Sequence, residues 1–254
     1  MADESLPSIL TRRLSYRDED TPLTGVLCWP ADQSDPSPGI MLIHGGGGLD
    51  AHARDQAHRY AQLGYTVLAC DMYGDGVAGD RERAMACVTA LRDNPDLLVR
   101  RAGAGLAALS RCPEAGPTVA AVGFCFGGMA ALALARAGTE LAAVVSMHGS
   151  LRTGRPARPG TVTAKVLACH GAADPHVPME DVVAFTDELN RAGADWQLNV
   201  YGGAVHGFTH RHAVGGTTPG VAYDPDADER SFAAATAFLA RAAAPVTNGP
   251  ARTG

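Results

Sequence analysis

A chain of 254 residues, 46% hydrophobic and 19% charged, is long enough to bury the core of one globular α/β domain. Its 21 basic against 27 acidic residues leave a net charge of −6, which argues against general nucleic-acid binding. No apolar run approaches the ~18–20 residues of a membrane span, and Met1-Ala2-Asp3-Glu4 lacks the character of a signal peptide, so the expectation is a cytoplasmic protein with neither membrane nor nucleic acid as partner.

Read in chain order, residues 10–17 and 23–29 form two strands joined by a turn around Asp20-Thr21-Pro22, and 32–38 is a loop rich in Pro, Ser and Asp. Residues 39–44 are a short unbroken apolar run, as expected of a strand covered on both faces. A helix over 51–63 stops at Gly64 and is followed by a strand over 65–70. Helical spacing continues over 81–92 and 95–111, with Pro95 at a helix start. A strand over 118–122, a helix over 127–137 and strands over 141–147 and 163–170 come next. A helix over 178–192 ends at Gly193, a strand covers 196–201, and an Ala-rich helix covers 229–243. This alternation predicts a doubly wound, mostly parallel sheet with helices on both faces and an antiparallel hairpin at its N-terminal edge. One domain over 1–244 is expected, with a disordered polar tail over 245–254. Arg152, Arg155 and Arg158 stand between prolines and read as a solvated loop.

Ligands of such sheets sit at the carboxyl ends of the strands. Those ends here are His44-Gly45-Gly46-Gly47-Gly48, Asp71, Cys125, His148, His170-Gly171-Ala172-Ala173-Asp174 and Val205-His206-Gly207. Titratable residues and glycines thus collect along one edge.

Gly123-Phe124-Cys125-Phe126-Gly127-Gly128 lies between a strand and a helix, the layout of a nucleophile elbow with cysteine in the nucleophile's place. A thiol there becomes a nucleophile at neutral pH once a base lowers its pKa. The competing reading is a small buried hydrophobe. Among nine histidines, His206 is the best base, because it follows the last strand in a glycine-flanked loop. Asp174 precedes it by one helix-plus-strand unit, and the order Cys125, Asp174, His206 is that of a nucleophile–acid–histidine triad. Asp174 could also serve as a helix cap, and His206 could be an ordinary loop histidine. His44, His148 and His170 read as supporting or pocket-lining residues. The run 44–48 offers bare backbone for an oxyanion hole, completed by the N–H of Phe126. Cys28, Cys70, Cys87, Cys112, Cys125 and Cys169 show no Cys-x-x-Cys pair and read as free thiols, and no ligand spacing suggests a metal.

Together with Tyr16-Arg17-Asp18, Thr24-Gly25-Val26-Leu27, Leu63-Gly64-Tyr65, Asp71-Met72-Tyr73-Gly74 and His206-Gly207-Phe208, these motifs resemble the dienelactone hydrolase family of α/β-hydrolases over residues 10–242. The resemblance implies Cys125 as nucleophile, His206 as base, Asp174 as its orienter, and the amides of Gly46 and Phe126 as oxyanion hole. It implies a cysteine-dependent hydrolase of a carboxylic ester or lactone that needs no cofactor; the chain itself is expected to be a monomer or homodimer. Two departures stand out. Members that act on dienelactone keep a glutamate where this chain has Gly45, so Cys125 is expected to pair directly with His206 as a resting thiolate. Such members also hold a substrate carboxylate with arginines, one of them four residues after the catalytic histidine. This chain has His210 there, with Arg211 beside it, and Arg81 is the candidate for the other. Gly45, Arg81, His148, His210 and Arg211 are therefore the candidate substrate-binding residues. The alternatives are a biosynthetic acyl-transfer, cyclising or C–C-bond-cleaving enzyme on the same scaffold, or a catalytically silent binder of small molecules.

Overall fold

The computed structural model describes residues 7–74, 76–213 and 215–243. The tail expected over 245–254 lies outside them. Eight strands form one sheet: β1 (Ile9–Asp18), β2 (Thr21–Pro30), β3 (Ser37–Ile43), β4 (Thr66–Cys70), β5 (Ala115–Phe124), β6 (Ala143–Met147), β7 (Lys165–Gly171) and β8 (Trp196–Tyr201). Their order is β1-β2-β4-β3-β5-β6-β7-β8, antiparallel through β2/β4 and parallel from there on.

The described residues also form the helices α1 (Ala51–Ala61), α2 (Arg81–Arg92), α3 (Pro95–Leu109), α4 (Phe126–Arg136), α5 (Met179–Ala192) and α6 (Pro225–Ala243). Alternation along β3 shows why both faces need covering. Met41 and Ile43 enter the core shared with α2, α3, α4 and α5, while Ile40 and Leu42 enter the core shared with α1 and α6. All four are fully buried, each contributing about 1.5–3 kcal/mol of burial.

Every element expected from the sequence is present, with its ends moved by a few residues. The largest shift is in α6, which starts at Pro225 rather than 229. Asp224 accepts the N–H of Ala227 at its start and Pro225 supplies a preset φ, so a Pro/Asp run that reads as loop is a helix start. β5 starts at Ala115, where it pairs with Ser37 before a register shift. Arg152 and Arg155 are not merely solvated; they pair with Asp181 on α5 and Asp96 on α3.

The N-terminal hairpin is tied to the functional edge. Buried Tyr16 donates its hydroxyl to the Asp71 carbonyl and accepts the Asp71 N–H, both at 2.7 Å. The Asp71 carboxylate in turn takes the N–H groups of Thr24, Tyr73 and Gly74. Arg101 on α3 joins Asp18 to the Met72 carbonyl. The turn after β4 is thereby fixed from two sides.

Candidate active site

Cys125 sits between β5 and α4 with φ 54° and ψ −115°, a conformation that costs a non-glycine residue about 1–3 kcal/mol. Its N–H donates to the Met147 carbonyl at 2.9 Å, and its carbonyl accepts the Met129 N–H. The turn is possible only because its neighbours lack side chains. A Cβ on Gly123 would stand 2.0 Å from the Gly127 carbonyl oxygen, and one on Gly127 would stand 2.1 Å from that of Ile43.

The three residues singled out in the sequence converge. His206 Nε2 lies 3.0 Å from Cys125 Sγ, and His206 Nδ1 lies 2.8 Å from Asp174 Oδ2. Asp174 has a second task. Its Oδ1 accepts the N–H groups of His176 and Val177, closing the turn after β7, while α5 starts later, at Met179, with Pro178 at its N-cap position and no side-chain cap among the described residues. One carboxylate thus holds both His206 and its own turn, and the alternative reading of Asp174 as the helix cap is not met, since Pro178 occupies the N-cap position of α5.

The electrostatics favour a thiolate. Burial pushes the Cys125 thiol up, but the His206 hydrogen bond and charge, with the backbone N–H groups of Gly46 and Phe126, hold it below its ordinary value. Burial opposes the charge on His206, yet its bonds to Asp174 and Cys125 raise it to about 10. Asp174 is held low against its burial by His206 and the two amides of its turn. These interactions bias the Cys125–His206 pair toward a thiolate beside an imidazolium, whose two ring nitrogens face Cys125 and Asp174.

The backbone N–H groups of Gly46 and Phe126 are both directed at the sulfur. The loop that carries Gly46 is anchored by His44, which donates from Nδ1 to the Gly45 carbonyl and accepts the Met72 N–H at Nε2. Tyr73 donates its hydroxyl to the Gly46 carbonyl at 3.3 Å and packs its ring against His44 and Phe126. Sequence reasoning quoted Tyr73 but assigned it no task; its place three residues past the end of β4 was the available signal. Position 45 is open: a Cβ there would meet Cys125 Cβ at 3.7 Å, an ordinary contact.

The remaining candidates are spread out. Arg81 opens α2 and lines a cavity of about 380 Å³ together with Gly46, Gly47, Asp50 and Thr218. His210 reaches Asp50 of that cavity at 3.7 Å. Arg211 lies 3.8 Å from Asp228 and lines a different, smaller cavity with His52 and Arg59. His148 is 3% exposed, with its Nε2 on Thr209 and its ring edge-on to His206. A larger cavity of about 720 Å³ lies between α3, α4, α5 and the loop after β6, beginning at Met129, one turn along α4 from Cys125. All six cysteines are free thiols.

This sheet order, with an elbow after β5, an acid after β7 and a histidine after β8, defines an α/β-hydrolase fold. Within that class the chain belongs to the dienelactone hydrolase family, whose model matches residues 23–243. Two solved structures are similar over 92% of this chain and 98% of their own at 37% identity. They are m3DLH (TM-score 0.86) and a dienelactone hydrolase-like promiscuous phosphotriesterase from metagenomic libraries (0.85). A dienelactone hydrolase-type protein of Klebsiella pneumoniae, 21% identical with a TM-score of 0.77 and coverage of 92% and 99%, shares the fold. An uncharacterised Caenorhabditis elegans protein is 37% identical over 70 residues, 28% of this chain and 44% of that protein, so the match spans less than half of that relative. Among the described residues no helix is long and apolar enough to cross a membrane.

Proposed function

We propose that the protein is a cysteine-dependent hydrolase of carboxylic esters or lactones. The observation that carries this reading is the direct 3.0 Å contact between His206 Nε2 and Cys125 Sγ, backed by Asp174 and by two amides at the sulfur. The Cys125 thiolate attacks the carbonyl carbon, and the amides of Gly46 and Phe126 take the developing oxyanion. Collapse breaks the bond to the leaving oxygen, which receives the Nε2 proton of His206, and leaves a thioester on Cys125. The now neutral His206 takes a proton from water, and the resulting hydroxide attacks the thioester. The acid is released, and thiolate and imidazolium are restored. None of these steps draws on a cofactor.

Arg81, His210 and Asp50 sit beside the oxyanion loop and are read as the groups that meet the substrate; Gly45 leaves room next to the sulfur. His148, buried behind the base, and Arg211, directed at Asp228, are given no direct contact with substrate. A second reading, phosphotriester hydrolysis, is favoured by the relative described as a promiscuous phosphotriesterase. A phosphoryl oxygen could occupy the same pair of amides.

The test is turnover of short-chain aryl esters, unsaturated lactones and aryl phosphotriesters by the wild type, Cys125→Ala and His206→Ala, with and without added amine or alcohol acceptors. Ester or lactone turnover that falls about 10³-fold or more in both variants is expected. Transfer to the added acceptor in preference to water would replace hydrolysis by acyl transfer. Turnover that survives Cys125→Ala would end the cysteine mechanism.

A further inference from the structure

His206 stands on a stretch, 202–213, that belongs to no helix or strand of the sheet. Its backbone is braced on one side, where the His206 N–H donates to the Gly220 carbonyl and its carbonyl accepts the Ala222 N–H. The other brace is a side chain. Thr209, three residues past the base and 2% exposed, places its Oγ1 2.8 Å from His148 Nε2 and 3.1 Å from His52 Nε2. His148 follows β6 directly and His52 lies in the first turn of α1. One hydroxyl therefore ties the base loop to two elements that are distant in sequence.

The direction of these bonds can be assigned. His148 Nδ1 is buried with no hydrogen-bond partner among the described residues, and an orphaned lone pair is cheaper there than an orphaned N–H. The His148 proton thus sits on Nε2 and is donated to Thr209, whose single hydroxyl hydrogen is left for His52 Nε2. Burial lowers both imidazoles, His52 to about 4 and with the further effect of His210, so both are neutral. The arrangement is costly. His148 adopts φ 39°, and two buried imidazoles are committed to one hydroxyl where apolar side chains would pack more cheaply. What they adjoin is the base: the His148 ring lies edge-on to His206 at 5.5 Å and to Phe208 at 5.0 Å. The other groups facing His206 are Asp174, Cys125 and His176, the last with its ring at 5.4 Å.

We infer that Thr209, held by His148 and His52, is a positioning residue that sets the reach of His206 Nε2 to Cys125 Sγ. The inference rests on the reading of His206 as the base. A displacement of about 1 Å at a reacting group can cost about 10²-fold in rate, so the hydroxyl has leverage.

The test compares Thr209→Val, which keeps the shape and removes the hydroxyl, with Thr209→Ser, which keeps the hydroxyl. The first readout is the rate of Cys125 alkylation by iodoacetamide at pH 6, which follows the thiolate–imidazolium contact and needs no substrate. The second is the split between kcat and KM on 4-nitrophenyl acetate. Thr209→Val is expected to slow alkylation about tenfold and lower kcat about 10- to 100-fold with KM within about threefold, and Thr209→Ser to restore both. The inference is overturned by alkylation and kcat within about threefold of wild type in the Val variant, by a Ser variant as impaired as Val, or by a loss confined to KM. If the Val variant does not fold, His52→Phe removes only the acceptor, and a kcat and an alkylation rate equal to wild type would overturn the inference. His206→Ala, run in parallel, separates the two layers. Turnover that survives it overturns the base itself, whereas turnover lost there with an unaffected Thr209→Val overturns only the positioning role.

Discussion

Cys125 and His206, the proposed nucleophile and base, are held in place by different means. At the elbow, backbone meets backbone: β5, α4 and the end of β3 approach so closely that Gly123 and Gly127 leave no room even for a methyl group. On the base loop, placement is the work of side chains and of a returning segment, with Thr209 reaching His148 and His52, and 220–222 pairing with His206. The first device is rigid and local. The second is assembled from four parts of the chain and can be retuned by single atoms. A hard anchor for Cys125 thus faces an adjustable mount for His206.

The sharpest way to break this contrast is Gly127→Ala. Its Cβ would stand 2.1 Å from the Ile43 carbonyl oxygen and 2.6 Å from that of His44, and neither atom belongs to a flexible side chain. A destabilisation on the order of 4 kcal/mol or more is expected, read as a steep fall in Tm or loss of soluble protein. A variant that melts with the wild type would show that the elbow has slack. Asp174→Asn probes the adjustable side with little change in shape. Its kcat should fall about 10³-fold while circular dichroism is unchanged, and the pH at which the Cys125 thiolate forms should rise, since the charge that supports His206 is gone. A loss below about tenfold would mean that the histidine loop orients its base without the acid.

Gly45→Glu has the smallest expected effect. A Cβ fits there, so Tm should stay within about 2 °C of the wild type. The added carboxylate beside the sulfur should raise the thiol pKa by about one unit and slow alkylation at pH 6 about tenfold. In the wild type, alkylation should persist well below the ordinary thiol pKa of ~8.5. A wild-type profile that titrates near that value would contradict the direct pairing of Cys125 with His206.

The contrast also explains what could be read in the sequence. Gly123, Gly127 and the apolar runs are local signals, so β3, β5, the elbow and the convergence of Cys125, Asp174 and His206 were legible, and so was the placing of the Gly46 and Phe126 amides beside the sulfur. The start of α6 was hidden because Asp224-Pro225 serves equally well in a loop. Thr209 and His52 were out of reach for another reason. Their meeting, 157 residues apart in sequence, is created only when α1 and the base loop arrive at the same edge of the sheet. Arg211 was chosen for its position in sequence, but its guanidinium lies near Asp228, which also binds Arg59, a contact with no local trace.

One oxygen of Asp174 holds its own turn and the other holds His206. Any fluctuation that lifts the His176 and Val177 amides from Oδ1 also frees the carboxylate to swing away from His206, and the thiolate loses its counter-charge in the same motion. Heat tolerance of the activity is then capped by the opening of one seven-residue turn, 171–177, which can give way well before the sheet that carries it.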